Sequence, residues 1–248
     1  MTATRTVLAV LILVAFLAGC KEEVPDSELD MFIARTGELE GQALQDTLHA
    51  MAGSDSRHAV FANYLLGNGF YEAASDTAAA KGWADGSVGA LLDSAEVYFM
   101  RSVERDSTFI EALVNLGSVW DDRSEQMGSR VDRDTRIANA QKYYEMALAV
   151  DPGDEKARCN LGSLYLRQRR TKEALAEFQT ALEHNPESSL ANYKLAIMFA
   201  EAKIYREAIV EWEKAVKYDP EGDIGSRSRE NIKIVKDLMN APAPDLGH

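Results

Sequence analysis

Asp151-Pro152, Asn185-Pro186 and Asp219-Pro220 recur at intervals of 34 residues, and the chain between them keeps the same step. Leu161 and Leu195, Gly162 and Ala196, and Tyr165 and Phe199 are each 34 apart. So are Tyr144, Phe178 and Trp212, the alanines Ala140, Ala174 and Ala208, and the alanines Ala147, Ala181 and Ala215. A period of this length holds one antiparallel helix pair, so the chain is constrained to stack such pairs. The spacing predicts that the small residues Gly162, Ala196, Ala174 and Ala208 sit where two helix backbones approach closely. Tyr165, Phe199, Phe178 and Trp212 are expected to fill the space between successive hairpins. Each proline follows the second helix of its pair, where it ends the helix without kinking it.

The order of these residues, Leu-Gly and an aromatic in the first helix, then Ala, aromatic, Ala and Pro in the second, resembles the tetratricopeptide repeat. The resemblance implies an all-α fold, a right-handed solenoid of antiparallel helix pairs with one concave and one convex side. Two repeats match cleanly, at 155–188 and 189–222. An extended repeat is expected at 109–154, opened by Leu116-Gly117 and Trp120, with 11 extra residues around 121–135. A degenerate one is expected at 57–108, with Leu66-Gly67 and Phe70 in its first helix, Ala95, Phe99 and Val103 in its second, and 16 extra residues. The array thus runs over 57–222. At 223–240 Ile232, Val235 and Met239 space as one apolar stripe under Arg227, Arg229, Lys233 and Lys236, the pattern of a terminal capping helix. A disordered tail is expected at 241–248. Upstream, Leu29, Phe32, Ile33, Leu44, Leu48 and Met51 suggest one or two amphipathic helices in a segment 20–56, which either pack on the first repeat or offer a face to a partner.

The chain opens with Arg5, an apolar run from Val7 to Ala18, and Leu17-Ala18-Gly19-Cys20. Twelve apolar residues are too few for a bilayer span, which needs ~20, and suit a signal-peptide core over 1–19. Leu-Ala-Gly-Cys resembles the lipobox of bacterial lipoproteins. That implies cleavage before Cys20, a diacylglycerol thioether on its sulfur and an acylated (palmitate-type) amino group, enough acyl chains for stable anchoring. The other reading is an ordinary secretory signal ending in Gly-Cys. Lys21 stands where an aspartate would resemble the inner-membrane retention signal of Gram-negative lipoproteins. The resemblance therefore implies an outer-membrane protein facing the periplasm, or, in a Gram-positive host, the outside of the plasma membrane.

The formal charge is −13, and −14 once residues 1–19, with Arg5 as their charged residue, are removed. Nucleic acid, bound through Lys and Arg neutralising phosphates, is thereby disfavoured. With Cys20 lipidated, Cys159 is the one remaining cysteine, so stability must come from packing without a disulfide, and Cys159 reads as a small apolar residue.

Enzymatic motifs are missing from the sequence. His49, His58, His184 and His248 have no zinc-like spacing. Gly67-Asn68-Gly69 lacks the third glycine and preceding strand of a dinucleotide loop, and reads as part of a helix contact. No Gly-x-Ser-x-Gly and no phosphate loop occurs. The expectation is a non-catalytic protein without cofactor or metal.

In tetratricopeptide repeats the concave groove is lined mainly by the first helix of each pair. Carried onto this chain, the resemblance places there Glu111, Val114 and Ser118, then Lys156, Cys159, Ser163, Leu166 and Arg167, then Leu190, Tyr193, Ile197, Ala200 and Glu201. Val114, Cys159, Leu166, Tyr193 and Ile197 make that lining more apolar than solvent selects, suited to a peptide or an amphipathic helix. The alternative is a groove closed by the chain itself. Co-chaperone tetratricopeptide domains grip a carboxylate with a Lys/Asn/Arg clamp. Here Val114 and Ser118 stand where Lys and Asn are needed, Asn160 matches, Leu190 replaces a lysine, and Lys194 matches only approximately, so that clamp is absent. The run Arg167-Gln168-Arg169-Arg170-Thr171-Lys172 falls at the turn between the two helices of a regular repeat. It reads as a solvated turn or a dock for an acidic partner or lipid headgroup. The expected function is a membrane-anchored scaffold for an envelope protein, with a self-associating or purely structural array as the alternative.

Overall fold

The computed structural model describes residues 28–240, apart from Glu38, Glu40, Arg57 and Met127. The expected signal segment 1–19, Cys20 and the tail 241–248 lie outside the described residues. Among the described residues every regular element is a helix: α1 (Glu28–Thr36), α2 (Gly41–Ala52), α3 (Ala59–Lys81), α4 (Gly86–Arg105), α5 (Ile110–Arg123) and α6 (Arg130–Val150). They continue with α7 (Glu155–Arg167), α8 (Thr171–His184), α9 (Ser189–Glu201), α10 (Tyr205–Tyr218) and α11 (Asp223–Asn240). Among the same residues no helix is long and apolar enough to cross a membrane. Contacts divide the chain into two compact units, residues 1–143 and 144–248, the division falling inside α6.

In the first unit the extra residues of the irregular repeats lengthen helices: α3 has 23 residues and α4 has 20, against 13 and 14 for α7 and α8. Phe99 of α4 is fully buried over Gly67, where an added Cβ would lie 2.6 Å from the ring. A Cβ added at Gly69 would meet nothing within 4 Å, so only the first glycine of Gly67-Asn68-Gly69 serves the helix contact. The segment before α3 packs onto it. Phe32, Leu44, Leu48 and Ala52 share one core cluster with Ala62 and Leu66, which decides between the two arrangements open for α1 and α2. The Phe32 ring stacks on His58 at 5.7 Å and meets Phe61 at 5.8 Å.

In the second unit the repeat is visible in the backbone itself. Asp154 and Ser188, 34 apart, are N-caps whose side chains accept from the Ala157 and Ala191 amides at 2.7 and 2.8 Å. Arg169 and Lys203, also 34 apart, adopt φ of 61° and 60° in the turn between paired helices. The following amides reach back to the last helical turn, Arg170 N to Tyr165 O at 2.9 Å and Ile204 N to Phe199 O at 2.8 Å. The side chains of Asp151 and Asn185, each before its proline, accept from the amide two residues on, at 2.8 and 3.2 Å.

Two expectations about packing change. The neighbour that Gly162 admits is a ring and not a backbone: a Cβ there would meet Phe178 of the paired helix at 2.5 Å. Phe178 therefore fills its own hairpin, because only the missing side chain leaves room for it. Trp212 reaches both ways, clustering with Ala196 and Ala208 of its hairpin and with Val235 of α11. On α11 the stripe is shorter than expected. Val235 is buried and Ile232 partly so, but Met239, near the end of the helix, is 43% exposed.

Candidate interaction surface

The first helices of the regular pairs, α7 and α9, lie side by side, and α9 also contacts α11. On α9 the residues Leu190, Lys194, Ile197 and Glu201 recur every three or four positions and so share one face, with Tyr193 beside it. Leu190 packs on the small cluster of Cys159, Ala181 and Ala191. Tyr193 and Ile197 pack against Ala196, Trp212 and Val235 yet stay half-buried. Leu166 and Ser163 are half-buried, while Lys156, Arg167 and Glu201 are exposed. The structure thus brings Leu190, Tyr193 and Ile197 into one partly open apolar strip bordered by charge.

Two expected lining residues are interior instead. Cys159 is fully buried, its thiol pushed up to about 12 by burial first and by Glu155, so it is neither exposed nor nucleophilic. Val114 is 5% exposed. Both are small enough to be drawn under the helix, where their carbonyls accept from hydroxyls one turn on, Ser163 at 2.9 Å and Ser118 at 3.2 Å. Ser118 itself is half-buried in the first unit.

The basic turn is largely self-satisfied. Arg170 lies 4.1 Å from the centre of the Tyr165 ring and bonds Glu173 at 3.0 Å, which holds the Glu173 carboxyl below its ordinary range. Arg169 and Lys172 are exposed.

Sequence reasoning gave Lys194 no role beyond a loose match to the co-chaperone clamp, and passed over a polar seam. Lys194 is half-buried and held below the usual lysine range, by burial first and then by Arg167 and Arg227. Its place between Leu190 and Ile197 on an apolar strip was the available signal. In the first unit α3 and α5 share a polar seam. Asn115 donates to Asn68 at 2.7 Å and Tyr71 to Asp122 at 2.6 Å. Burial raises the Asp122 carboxyl to about 6, and burial with Asp76 raises Glu72 to about 7. No motif marks this seam, since its partners are 47 and 51 residues apart. Among the described residues no group of His, Cys, Asp and Glu is placed to hold a metal ion.

A tetratricopeptide repeat model matches residues 128–179 and 159–223. The chain is similar in structure to TTC0263, a thermophilic tetratricopeptide protein of Thermus thermophilus, at 14% identity and a TM-score of 0.65, covering 94% of this chain and 98% of that one. The fold is an all-α tetratricopeptide solenoid. A monomeric mutant of IFIT1 with Gppp-AAAA gives a TM-score of 0.66 at 14% identity, over 96% of this chain and 56% of that one. MamA gives 0.50 at 15% identity, over 79% and 97%. No curated protein matches the sequence. At these identities the likeness is one of fold, so within the tetratricopeptide architecture the function has to be argued from this chain's own surface.

Proposed function

We propose that this chain is a membrane-anchored, non-catalytic scaffold that holds a peptide or helix of an envelope protein on the face of α7 and α9. The observation that carries the reading is the strip of Leu190, Tyr193 and Ile197, apolar and half-buried on the first helix of a regular repeat. Partly open apolar side chains in register along one helix suit an extended peptide or the apolar face of a helix. The anchor in this reading is lipid on Cys20, and Lys21 directs it to the outer membrane facing the periplasm.

A second reading rests on a specific contact. Tyr193 and Ile197 share their cluster with Ile232 and Val235, so α11 covers part of the strip with the chain's own side chains. Full occlusion would leave an array that is structural or self-associating.

A photo-crosslinker at Tyr193, compared in the native envelope with one at Gln179, an exposed position on α8, separates the two. A discrete adduct to another protein at Tyr193 alone is expected, and adducts confined to the chain itself would favour occlusion. Cys20→Ala is expected to release the protein from the membrane fraction and abolish palmitate labelling. Retention of both would refute the anchor.

A further inference from the structure

The connections of the second unit alternate between two edges, and the 34-residue step sorts charge between them. Cys159 and Ala191, near the starts of α7 and α9, cluster with Ala181 and Leu182 near the end of α8, and Arg229 of α11 donates to Pro220 O at 2.8 Å. One edge is therefore built by the starts of α7, α9 and α11 and the loops before them. Its segments 151–157, 185–191 and 219–225 hold seven acids against one cation. At the other edge Phe199 and Ala200, near the end of α9, and Tyr205, at the start of α10, share a cluster with Ile232 and Val235 of α11. Its segments 167–173, 201–207 and 235–240 hold seven cations against four acids. A chain of net charge −13 thus turns one edge of this unit basic.

Of the four acids at the basic edge, Glu173 is held by Arg170 at 3.0 Å, and Glu201, Glu207 and Asp237 are open to water. Arg169 and Lys203 occupy equivalent left-handed positions, where glycine sits without strain. A cation stands at both turn tips all the same, exposed together with Lys172 and Arg206. Apolar side chains are exposed among these charges. Ile204 is 42% exposed between Lys203 and the half-buried Tyr205, with Arg206 next, and Leu238, one turn beyond Val235, is 58% exposed. A free phosphate or an acidic protein loop is met by the cations alone and has no use for Ile204 or Leu238. A bilayer interface uses both kinds of side chain, since it offers phosphates at its surface and acyl chains just beneath.

We propose that this edge lies on an anionic bilayer, with Arg169, Lys172, Lys203 and Arg206 over the lipid headgroups and Ile204 and Leu238 entering the interface. The acidic edge then points away from the surface, where an anionic membrane would repel it. Because the helices of this unit run from one edge to the other, they stand upright on the bilayer. The contact is independent of lipid on Cys20: an acyl anchor keeps a chain near the membrane, whereas this edge sets which way the second unit faces.

The test uses the full chain with a genetically encoded, environment-sensitive fluorophore at position 204, or at the exposed Glu187 on the acidic edge as a control. Each is mixed with vesicles of phosphatidylcholine alone or with about 30% phosphatidylglycerol. Flotation reads attachment of the chain, and quenching by brominated acyl chains reads contact of the edge. Quenching is expected at position 204 with phosphatidylglycerol present, at least about fivefold above that at position 187, and is expected to fade as sodium chloride rises to about 500 mM. Arg169→Gln with Lys203→Gln should remove more than about half of it, and circular dichroism confirms the fold of the variant. Quenching that is equal at the two positions, indifferent to phosphatidylglycerol or unchanged in the double variant overturns the proposal, whatever the flotation result. Phosphatidylglycerol-dependent quenching at position 204 in a chain that does not float with phosphatidylcholine alone supports the edge while refuting the anchor. A photo-crosslinker at position 204 that captures a protein and no lipid in the native envelope overturns the bilayer in favour of an acidic partner.

Discussion

The phenol of Tyr71 donates a 2.6 Å hydrogen bond to Oδ2 of Asp122, tying α3 to α5 across 51 residues of sequence. The bond favours the ionised carboxylate, but burial outweighs it and raises Asp122 to about 6. Beside it Glu72 is raised to about 7, mainly by burial. In the unfolded chain both carboxyls return to ~4. The folded protein therefore holds protons between about pH 4 and 7 that the unfolded chain has released, and stability falls as pH rises through that window. Asp122→Asn keeps an acceptor for Tyr71 and removes the charge. It is expected to stabilise the protein at pH 7.5 by about 1–3 kcal/mol and to change little at pH 4. Urea unfolding at several pH values checks this, and an unaltered slope between pH 5 and 7 would contradict it.

Gly162→Ala tests the hairpin interior. The new Cβ would lie 2.5 Å from a carbon of the Phe178 ring, which is itself fully buried. Overpacking of this kind costs about 1–3 kcal/mol. Adding Phe178→Leu should recover part of the loss, so the double-mutant cycle is expected to show coupling between the two positions. Strict additivity would mean that the ring moves aside freely.

The turns at Arg169 and Lys203 can be improved. Both residues carry a Cβ at φ near +60°, a conformation that costs an L-residue roughly 1 kcal/mol. Glycine relieves this while adding freedom to the unfolded chain. The expected net gain for Lys203→Gly is about 0.5 kcal/mol, read as a higher denaturation midpoint with an unchanged m-value. Lys203→Val is expected to lower the midpoint.

Cys159 is expected to resist labelling. With its thiol pushed up to about 12, about one molecule in ten thousand carries the thiolate at pH 8. Alkylation by iodoacetamide in native buffer should proceed at under about 1% of the rate in 6 M guanidinium chloride. A fast native reaction would place the sulfur at the surface.

The regular part of the array was legible because its physics repeats. A cap at Asp154 and Ser188, a small residue at Gly162 and Ala196, and a ring at Phe178 and Trp212 each solve one local problem twice at the same spacing. Where the spacing breaks, at α3, α4 and α6, residue type still marks the helices, but the partners across the Tyr71–Asp122 seam are set by how far each helix runs. The groove was legible only in part. Helical spacing tells which face a residue is on but not how deep it lies, so Cys159 and Val114 were placed on a lining that in fact covers them. Lys194 was weighed only as a loose match to the clamp, because a lysine on a helix ordinarily reaches water, whereas here it is half-buried.

In the folded structure these helices find their principal partner in an adjacent element of the chain: α3 in α4, α7 in α8, α9 in α10, α11 in α10. A chain organised this way meets almost no delay from loop closure, since each hairpin can collapse as soon as its own residues are available. Nascent repeats need not wait, exposed, for distant segments still to be synthesised, which lowers the time in which they can aggregate. Each regular hairpin also packs on the helix that follows it, as Cys159 and Ala181 do on Ala191. The buried Trp212 ring rests on Val235 of α11, so that pair finishes packing only when the final helix has emerged, and the end of the array is set as much by timing as by contact.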